Sequence, residues 1–172
     1  RETGRHLERV QRYCTILAEG LRKQPRDKSV IDDAFIRNLI NASPLHDIGK
    51  VAIEDRILLK PGKLTEDEFE IMKTHSSIGA ATIEAVHEQY PRNSFISMGI
   101  SMARSHHEWW NGSGYPQSLT GESIPLPARI MAVADVYDAL RSTRCYKGPY
   151  SRNESREIIE KGGGKQFDPL LV

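Results

Sequence analysis

Apolar residues recur at three- and four-residue spacing along most of this chain, and this periodicity restricts its fold more than any other feature. The segment from residue 2 to about residue 23 shows the pattern most clearly. Its apolar positions are Leu7, Val10, Tyr13, Cys14, Leu17, Ala18 and Leu21. Such spacing places the side chains on one face of an α-helix. Clear strand alternation is absent, so the sequence predicts an all-α fold, a single-domain helical bundle.

Five more helices are predicted from the same pattern and from start and stop signals. They cover about 30–47, about 66–87, about 94–109, about 127–141, and a segment that begins near Ser151. Pro44 should kink or restart the first of these, because proline cannot donate a backbone hydrogen bond. Thr65 followed by Glu68 has the spacing of a capping box, which predicts where the second begins.

Length and charge set the broad class. The 172 residues fit one domain with a sizeable core, and the net charge of +1 gives no field for a nucleic acid polymer or an anionic membrane. Cys14 and Cys145 are too far apart in sequence to suggest a zinc–cysteine motif, and no apolar run is long enough to span a membrane. We therefore expect a cytoplasmic protein without membrane contact. The chain opens with helical character and no initiator Met, so we also expect a longer protein with an upstream sensory or receiver domain.

Most of the six histidines lie near carboxylates or in tight motifs. Each has an ordinary explanation when taken singly. Glu2 and His6 are four residues apart, and most such pairs are solvated contacts on a helix surface. His75 alone fits a core or surface histidine. Asp135 interrupts an apolar helix with Asp138 three residues later, and a structural salt bridge could account for both.

Two adjacent pairs favour a collective role. His46 and Asp47 stand in "LHDIGK", and His106 and His107 stand in "SHHEWW". Adjacent residues on a helix point about 100° apart, so the members of a pair suit neighbouring ions, or a carboxylate that bridges two ions. Imidazole and carboxylate together suit iron, manganese, nickel or zinc. Two such pairs, each on its own helix, fit a multinuclear cluster inside a bundle.

The ordered motifs make the chain recognisable. They are "HLERV", "LHDIGK", "ILLKPGKLTEDEFEIMKTH", "ARSHHEWWNGSGYP", "IPLPARIMAVADVYDALRSTRCYK" and "FDPLLV". With them the chain resembles the HD-GYP family, a branch of the HD phosphohydrolases, from Glu2 to Val172. The resemblance implies a helical bundle of the HD phosphohydrolase type. It also implies hydrolysis of cyclic di-GMP by a cluster of two or three divalent metals, most often iron or manganese.

The resemblance also implies a ligand set. His46 and Asp47 match the pair that names the family, with Asp47 as the bridging ligand and a catalytic residue. The other ligands that the resemblance implies are His75, His106, His107 and Asp135, and Glu2 and His6 match the positions that hold a third ion in trinuclear members. The family pattern is broken at Asn111, Glu54 and Ser76, where Asp, Pro and Pro are usual. None of these departures removes a ligand.

Substrate contacts are implied at several further positions. Lys50 resembles a residue that contacts the bridging hydroxide or the scissile phosphate, although a lysine there could instead meet a helix dipole. Arg144 and Lys147 match phosphate-binding positions, although flexible cations near a loop are often only solvated. Gly114 and Tyr115, in a loop whose glycines allow positive φ, are expected near the pocket, although the loop could be a purely structural turn.

The main functional hypothesis is thus a phosphodiesterase that uses a metal-bridging hydroxide to convert cyclic di-GMP to linear pGpG, GMP or both. An inactive receptor for cyclic di-GMP is the first alternative. A phosphodiesterase for another cyclic dinucleotide, such as cyclic GMP–AMP, is the second. Expected partners are diguanylate cyclase domains and the upstream regulatory domain.

Overall fold

The computed structural model describes residues 4–24, 29–142 and 148–172. Within these ranges the regular structure is helical and no β-strand occurs, which confirms the all-α prediction. The α-helices are α1 Gly4–Arg22, α2 Asp33–Ala42, α3 Asp55–Leu58, α4 Glu66–His87, α5 Ser94–Ser105, α6 Leu126–Arg141 and α7 Arg152–Lys161. Short 3-10 helices cover Ser43–Leu45, Ile48–Ala52 and Gly121–Ser123.

Local signals set several helix starts as predicted. The Thr65 hydroxyl accepts from the Glu68 N–H, and the Glu68 carboxylate accepts from the Thr65 N–H, so the predicted capping box is confirmed. Ser151 and Glu154 form a second capping box at the start of α7. α2 begins at Asp33 rather than near residue 30 as predicted, and the Asp32 side chain caps it by accepting from the Phe35 N–H.

Two predicted helices are too long. The second was expected to continue to about residue 47, but α2 ends at Ala42 and a 3-10 helix containing Pro44 follows. Proline supplies no N–H, and its ring clashes with the carbonyl four residues earlier in a helix, which explains the break. The helix predicted to reach about residue 109 ends at Ser105. The two pairs of candidate ligands therefore lie at breaks and ends of helices, which corrects the expectation that each pair lies on its own helix.

The main hydrophobic core joins α1, α2, α5 and α6, and α7 with the C-terminal segment closes one side. Its fully buried members include Cys14, Leu39, Met102, Ile130 and Met131. A second cluster joins α4 to α5 through Ala80, Ile83, Ile96 and Ala103. Removal of this apolar surface from water is the main force that holds the helices together. No helix in the described ranges combines the length and apolar character needed to cross a membrane.

Candidate metal centre

His46 and Asp47 lie at the break after α2. His46 follows the 3-10 helix Ser43–Leu45, and Asp47 immediately precedes the next one, with φ −105° and ψ 11°. Both side chains are buried. A buried carboxylate beside a buried imidazole needs partners or a metal, because an isolated buried charge is very unfavourable.

One group of donors gathers around Asp47. Its members are Asp47, His75, His106 and His107, and one ligand atom from each lies within 4.8 Å of the others. Asp47 Oδ1 is 3.2 Å from His75 Nε2 and 3.7 Å from His106 Nε2. The middle of α4 and the end of α5 therefore bring their histidines to the break that follows α2.

A second group adjoins the first. It consists of His6, His46 and Asp135, whose ligand atoms also lie within 4.8 Å of one another. His46 Nε2 is 4.0 Å from Asp135 Oδ1 and 3.2 Å from Asp47 Oδ2. Asp47 thus directs one carboxylate oxygen toward each group, the placement that a bridging ligand requires. The structure brings together seven of the residues that the sequence resemblance named.

Hydrogen bonds fix which ring nitrogen faces the centre. His46 Nδ1 lies 2.7 Å from the Ser43 carbonyl, and His75 Nδ1 lies 2.7 Å from the Met72 carbonyl. His106 Nδ1 lies 2.9 Å from a third backbone carbonyl. A carbonyl only accepts, so each Nδ1 carries a proton and donates it, and each ring directs its Nε2 toward the centre. Metal-binding histidines are oriented in the same way.

The donor atoms fit a metal. The buried atoms without a hydrogen-bond partner include Nε2 of His6, His46, His75 and His106, together with Asp47 Oδ1. Buried polar atoms normally have a partner, and this set converges on one place. All are nitrogen or oxygen donors, and Cys14 is buried in the core, where burial raises the pKa of its thiol to about 12. The chemistry of the set therefore matches a divalent ion bound by imidazole and carboxylate.

Electrostatics keep Asp47 and His107 in protonation states that can bind a cation. Burial disfavours the ionised form of Asp47, but the neighbouring imidazoles of His106, His46 and His75 lower the pKa of this carboxylate far below its ordinary value. Burial, followed by the charges of His106 and His75, brings the pKa of His107 well below its ordinary value. A carboxylate held ionised and an imidazole held neutral are both ready to bind a cation.

Asp138 supports the second group, although the sequence analysis left it as one half of a structural salt bridge. His6 Nδ1 lies 2.7 Å from Asp138 Oδ2, and the Arg9 guanidinium donates to both carboxylate oxygens. Burial opposes ionisation of Asp138, yet the bonds from Arg9 and His6 lower its pKa. The signal in the sequence was the three-residue spacing from Asp135, which puts both carboxylates on one side of α6.

Lys50 lies beside the bridging carboxylate. Its Nζ donates to Asp47 Oδ2 at 2.5 Å, and the side chain is 31% exposed. Lys50 belongs to a five-residue 3-10 helix. The alternative explanation, a lysine that meets a helix dipole, assumed an α-helix at this position. The Lys50 ammonium therefore lies between the donor groups and solvent.

The loop after His107 packs closely against the centre. The Tyr115 ring stacks on the His107 ring, with centroids 4.8 Å apart and planes tilted by 25°. Gly112 has φ +84°, as expected, but Gly114 is outside the left-handed region, so the expectation of positive φ is wrong for Gly114. Instead, a Cβ at Gly114 would lie 2.2 Å from the Trp109 nitrogen, so a close approach of two backbone segments requires this glycine.

Two residues that the sequence analysis missed, Glu108 and Gly49, hold the Tyr115 loop and the segment around Asp47 in place. The buried Glu108 carboxylate accepts from the Gln117 N–H at 2.7 Å and from the Leu119 N–H at 3.0 Å, which ties down the Tyr115 loop. A Cβ at Gly49 would lie 1.9 Å from the His75 carbonyl oxygen, so Gly49 lets the Asp47 segment touch α4. The position of Glu108 directly after the histidine pair was the available signal.

Three predicted site residues, Glu2, Arg144 and Lys147, lie outside the described ranges. Their roles stay predictions. Asn111, one of the departures from the family pattern, accepts from the Ser113 N–H and hydroxyl, so it keeps the turn in place without a charge.

The chain is similar to known proteins along nearly its whole length. A family model described as the HD domain matches residues 5–171. A cyclic di-GMP phosphodiesterase of Vibrio cholerae is 47% identical over 171 residues, which cover 99% of this chain and 35% of that protein. A 3′3′-cGAMP-specific phosphodiesterase of the same organism is 43% identical over 174 residues, covering 100% of this chain and 30% of that protein. The chain thus spans about a third of the length of these relatives.

The fold itself has a solved counterpart. The crystal structure of a cyclic GMP–AMP specific phosphodiesterase from V. cholerae matches with a TM-score of 0.63 and 22% sequence identity, over 95% of this chain and 42% of the other. This likeness confirms the predicted helical bundle of the HD phosphohydrolase type. The family model covers nearly the whole sequence, and the chain therefore belongs to the HD domain family.

Proposed function

We propose that this chain is a metal-dependent phosphodiesterase that hydrolyses cyclic di-GMP to linear pGpG, GMP or both. The observation that carries the proposal is the pair of donor groups joined by Asp47, whose two oxygens face His75 and His46 at 3.2 Å each. The 47% identity to a protein named cyclic di-GMP phosphodiesterase supports the choice of substrate.

Bound divalent ions would supply an activated water and would neutralise charge on the phosphate. The chain's residues would do the rest. The Asp47 carboxylate would hold both donor groups at a fixed separation, and backbone carbonyls keep the histidine Nε2 atoms pointing inward. Lys50, whose ammonium already touches Asp47, would orient the scissile phosphate as a hydrogen-bond donor.

The donor set supports iron or manganese, with nickel or zinc as further candidates. His75, His106, His107 and Asp47 would hold one ion, and His46, Asp135 and Asp47 a second. Glu2 together with His6 would complete a third position. Gly114, Tyr115, Arg144 and Lys147 would contact the substrate, and Tyr115 is supported in this role by its stacking on His107.

Residues 1–172 would act as one domain, controlled by an upstream sensory or receiver domain and by diguanylate cyclase domains as partners. The share of the relatives' length that the chain covers supports a longer protein. The protein would work in the cytoplasm, where the substrate would be a nucleotide second messenger rather than a nucleic acid polymer.

The test is direct. The chain is purified without oxygen, loaded with Fe(II) or Mn(II), and incubated with cyclic di-GMP, and the products are separated by chromatography. We expect linear product from the unmodified chain and a loss of at least about 100-fold in rate for Asp47→Ala, because both groups lose their shared ligand. His87→Ala is the matched control, since His87 ends the same helix as His75 outside both donor groups.

The outcomes separate the alternatives. Tight binding without turnover under every metal would contradict the enzyme and favour the receptor. Faster hydrolysis of cyclic GMP–AMP than of cyclic di-GMP would favour cyclic GMP–AMP as the substrate. The relative that is 43% identical and is named for cGAMP supports testing this alternative. Elemental analysis of both variants reports metal content independently of activity.

A further inference from the structure

An exposed aromatic ring lies next to the metal centre. Phe69, in the first turns of α4, keeps 47% of its surface in solvent. Its ring meets the Tyr115 ring edge to face, with centroids 6.3 Å apart and planes at 85°. Tyr115 in turn stacks on His107 of the first donor group. An aromatic wall therefore runs from the metal ligands outward to the protein surface.

A cation lies over this wall. Lys73 is one helical turn after Phe69, and its Nζ is 5.5 Å from the centroid of the Phe69 ring and 5.8 Å from that of Tyr115. The ammonium also contacts Glu70 Oε1 at 2.5 Å, but the Glu70 side chain is 68% exposed. An ion pair this exposed is weak, so a ligand could share or replace the contact.

The hydrophobic core does not account for these positions. Phe69 is absent from both buried clusters of the described residues, and nearly half of it stays in water. A ring so exposed adds little to folding by burial. Its contacts instead connect it to Tyr115 and, through Tyr115, to His107.

We propose that Phe69 and Lys73 form a recognition site for one guanine base of the substrate. The inference rests on the proposed function and names the residues that select the base. A purine would stack on the Phe69 ring, as bases do on aromatic side chains in other nucleotide-binding proteins. The Lys73 ammonium would donate to O6 and N7 of guanine.

The chemistry of the base edge gives the site a preference. Guanine presents two acceptors, O6 and N7, on the edge that Lys73 would face. Adenine presents an amino donor in place of O6, and a lysine cannot accept a hydrogen bond. Cyclic di-GMP is therefore preferred over cyclic di-AMP, and the mixed dinucleotide would place its guanine here.

The experiment compares three variants with the unmodified metal-loaded chain. Phe69→Leu keeps apolar bulk without a ring, Phe69→Trp restores a ring, and Lys73→Met removes the charge at similar length. Val86→Ala and Lys161→Met are controls, because Val86 is 48% exposed on the same helix and the Lys161 side chain is exposed on α7. KM and kcat are measured for cyclic di-GMP and cyclic di-AMP. The Kd of a phosphorothioate analogue of cyclic di-GMP is measured by calorimetry.

We expect Phe69→Leu to raise the KM for cyclic di-GMP and the Kd of the analogue by about five- to 100-fold, and Phe69→Trp to restore both. Lys73→Met should raise the KM for cyclic di-GMP by about tenfold and leave the KM for cyclic di-AMP nearly unchanged. The preference for cyclic di-GMP over cyclic di-AMP should therefore become smaller. Hydrolysis of methyl p-nitrophenyl phosphate, a diester without a base, should stay at the unmodified rate.

An unchanged Kd in Phe69→Leu, or an undiminished preference for guanine in Lys73→Met, would overturn the proposal. A general loss that includes the simple diester would also overturn it, because damage to the metal centre would then explain the effect. An unmodified chain that binds the analogue but hydrolyses no dinucleotide contradicts the proposed function alone, and the binding data still test the base site. Failure of that chain to bind the analogue contradicts both.

Discussion

Asp138 is a single residue outside both donor groups that orients His6, a candidate ligand in the second group. Its carboxylate receives His6 Nδ1 at 2.7 Å, which leaves His6 Nε2 buried and directed to the second group. The Arg9 guanidinium donates to both oxygens of the same carboxylate, and this pairing limits its rotation. Carboxylates that orient a metal-binding histidine also make the ring a better donor.

Asp138→Asn should therefore weaken metal binding at the second group. The neutral amide keeps the shape but loses the charge that orients and polarises His6, so we expect the affinity for the weaker-bound metal to fall by about 10- to 100-fold. Metal titrations with elemental analysis measure the change. Asp33→Asn, at an exposed carboxylate that pairs with Arg22, is the control and should bind metal normally. Identical affinities in the two variants would contradict the role assigned to Asp138.

At the scale of single residues, the sequence predicted only which residue types form the candidate site and in which order they follow along the chain. The resemblance named the histidines and aspartates, and seven of them converge. The sequence could not predict which ring nitrogen of each histidine faces the centre. That orientation depends on backbone carbonyls such as that of Met72, whose direction follows from the folded helix. Phe69 carried no signal at all, since an exposed phenylalanine on a helix is ordinary until its neighbours in space are known.

At the scale of the elements, the contact between the Asp47 segment and α4 depends on two glycines. Cβ atoms built at Gly49 and Gly79 would meet the facing backbone, at 1.9 Å from the His75 oxygen and at 3.0 Å from the Gly49 nitrogen respectively. The close approach puts Asp47 within 3.2 Å of His75, a residue of the opposite element. Packing of backbone on backbone thus sets the distance between these two candidate ligands.

Gly49→Ala should separate the elements. Because the new methyl group would meet backbone atoms that cannot rotate away, we expect a loss of at least about 1–3 kcal/mol in the free energy of unfolding. Urea denaturation of the metal-free chain measures it. The matched control is Gly20→Ala in α1, where nothing lies within 4 Å of the added Cβ. There the same change should be neutral or stabilise the chain by up to about 1 kcal/mol, and equal effects at both sites would contradict the packing argument.

Helix starts were predicted better than helix ends. Thr65 carries its capping partner three residues away, so local sequence was enough to place the start of α4. The apolar pattern continues beyond Ala42 and beyond Ser105, however, and a periodicity argument cannot detect the change from α to 3-10 geometry. The errors fall at the two ligand pairs, where the backbone leaves regular helix to aim adjacent side chains at one centre.

At the scale of the whole molecule, the centre connects segments that are far apart in sequence. Candidate ligands come from α1, the break after α2, α4, the end of α5 and α6, so five of the seven described α-helices contribute one or border the centre. Two hydrophobic clusters lie beneath it and share α5, since one joins α1, α2, α5 and α6 whereas the other joins α4 to α5. Bound metal would add a further link between α4 and the helices of the main core.

Removal of metal should lower the thermal stability of the entire chain. An ion that binds only the folded state stabilises it by about 2.7 kcal/mol at 100 times its Kd, and in a chain near this size each kcal/mol corresponds to about 2–4 °C in Tm. We therefore expect a chelator to lower the Tm by about 5–10 °C in a calorimetric scan, and excess Mn(II) to restore it. His75→Ala, which removes one ligand from the first group, should respond to the chelator much less than His87→Ala does. Equal shifts in those two variants, or none in the unmodified chain, would show that the converging imidazoles and carboxylates do not hold an ion that stabilises the fold.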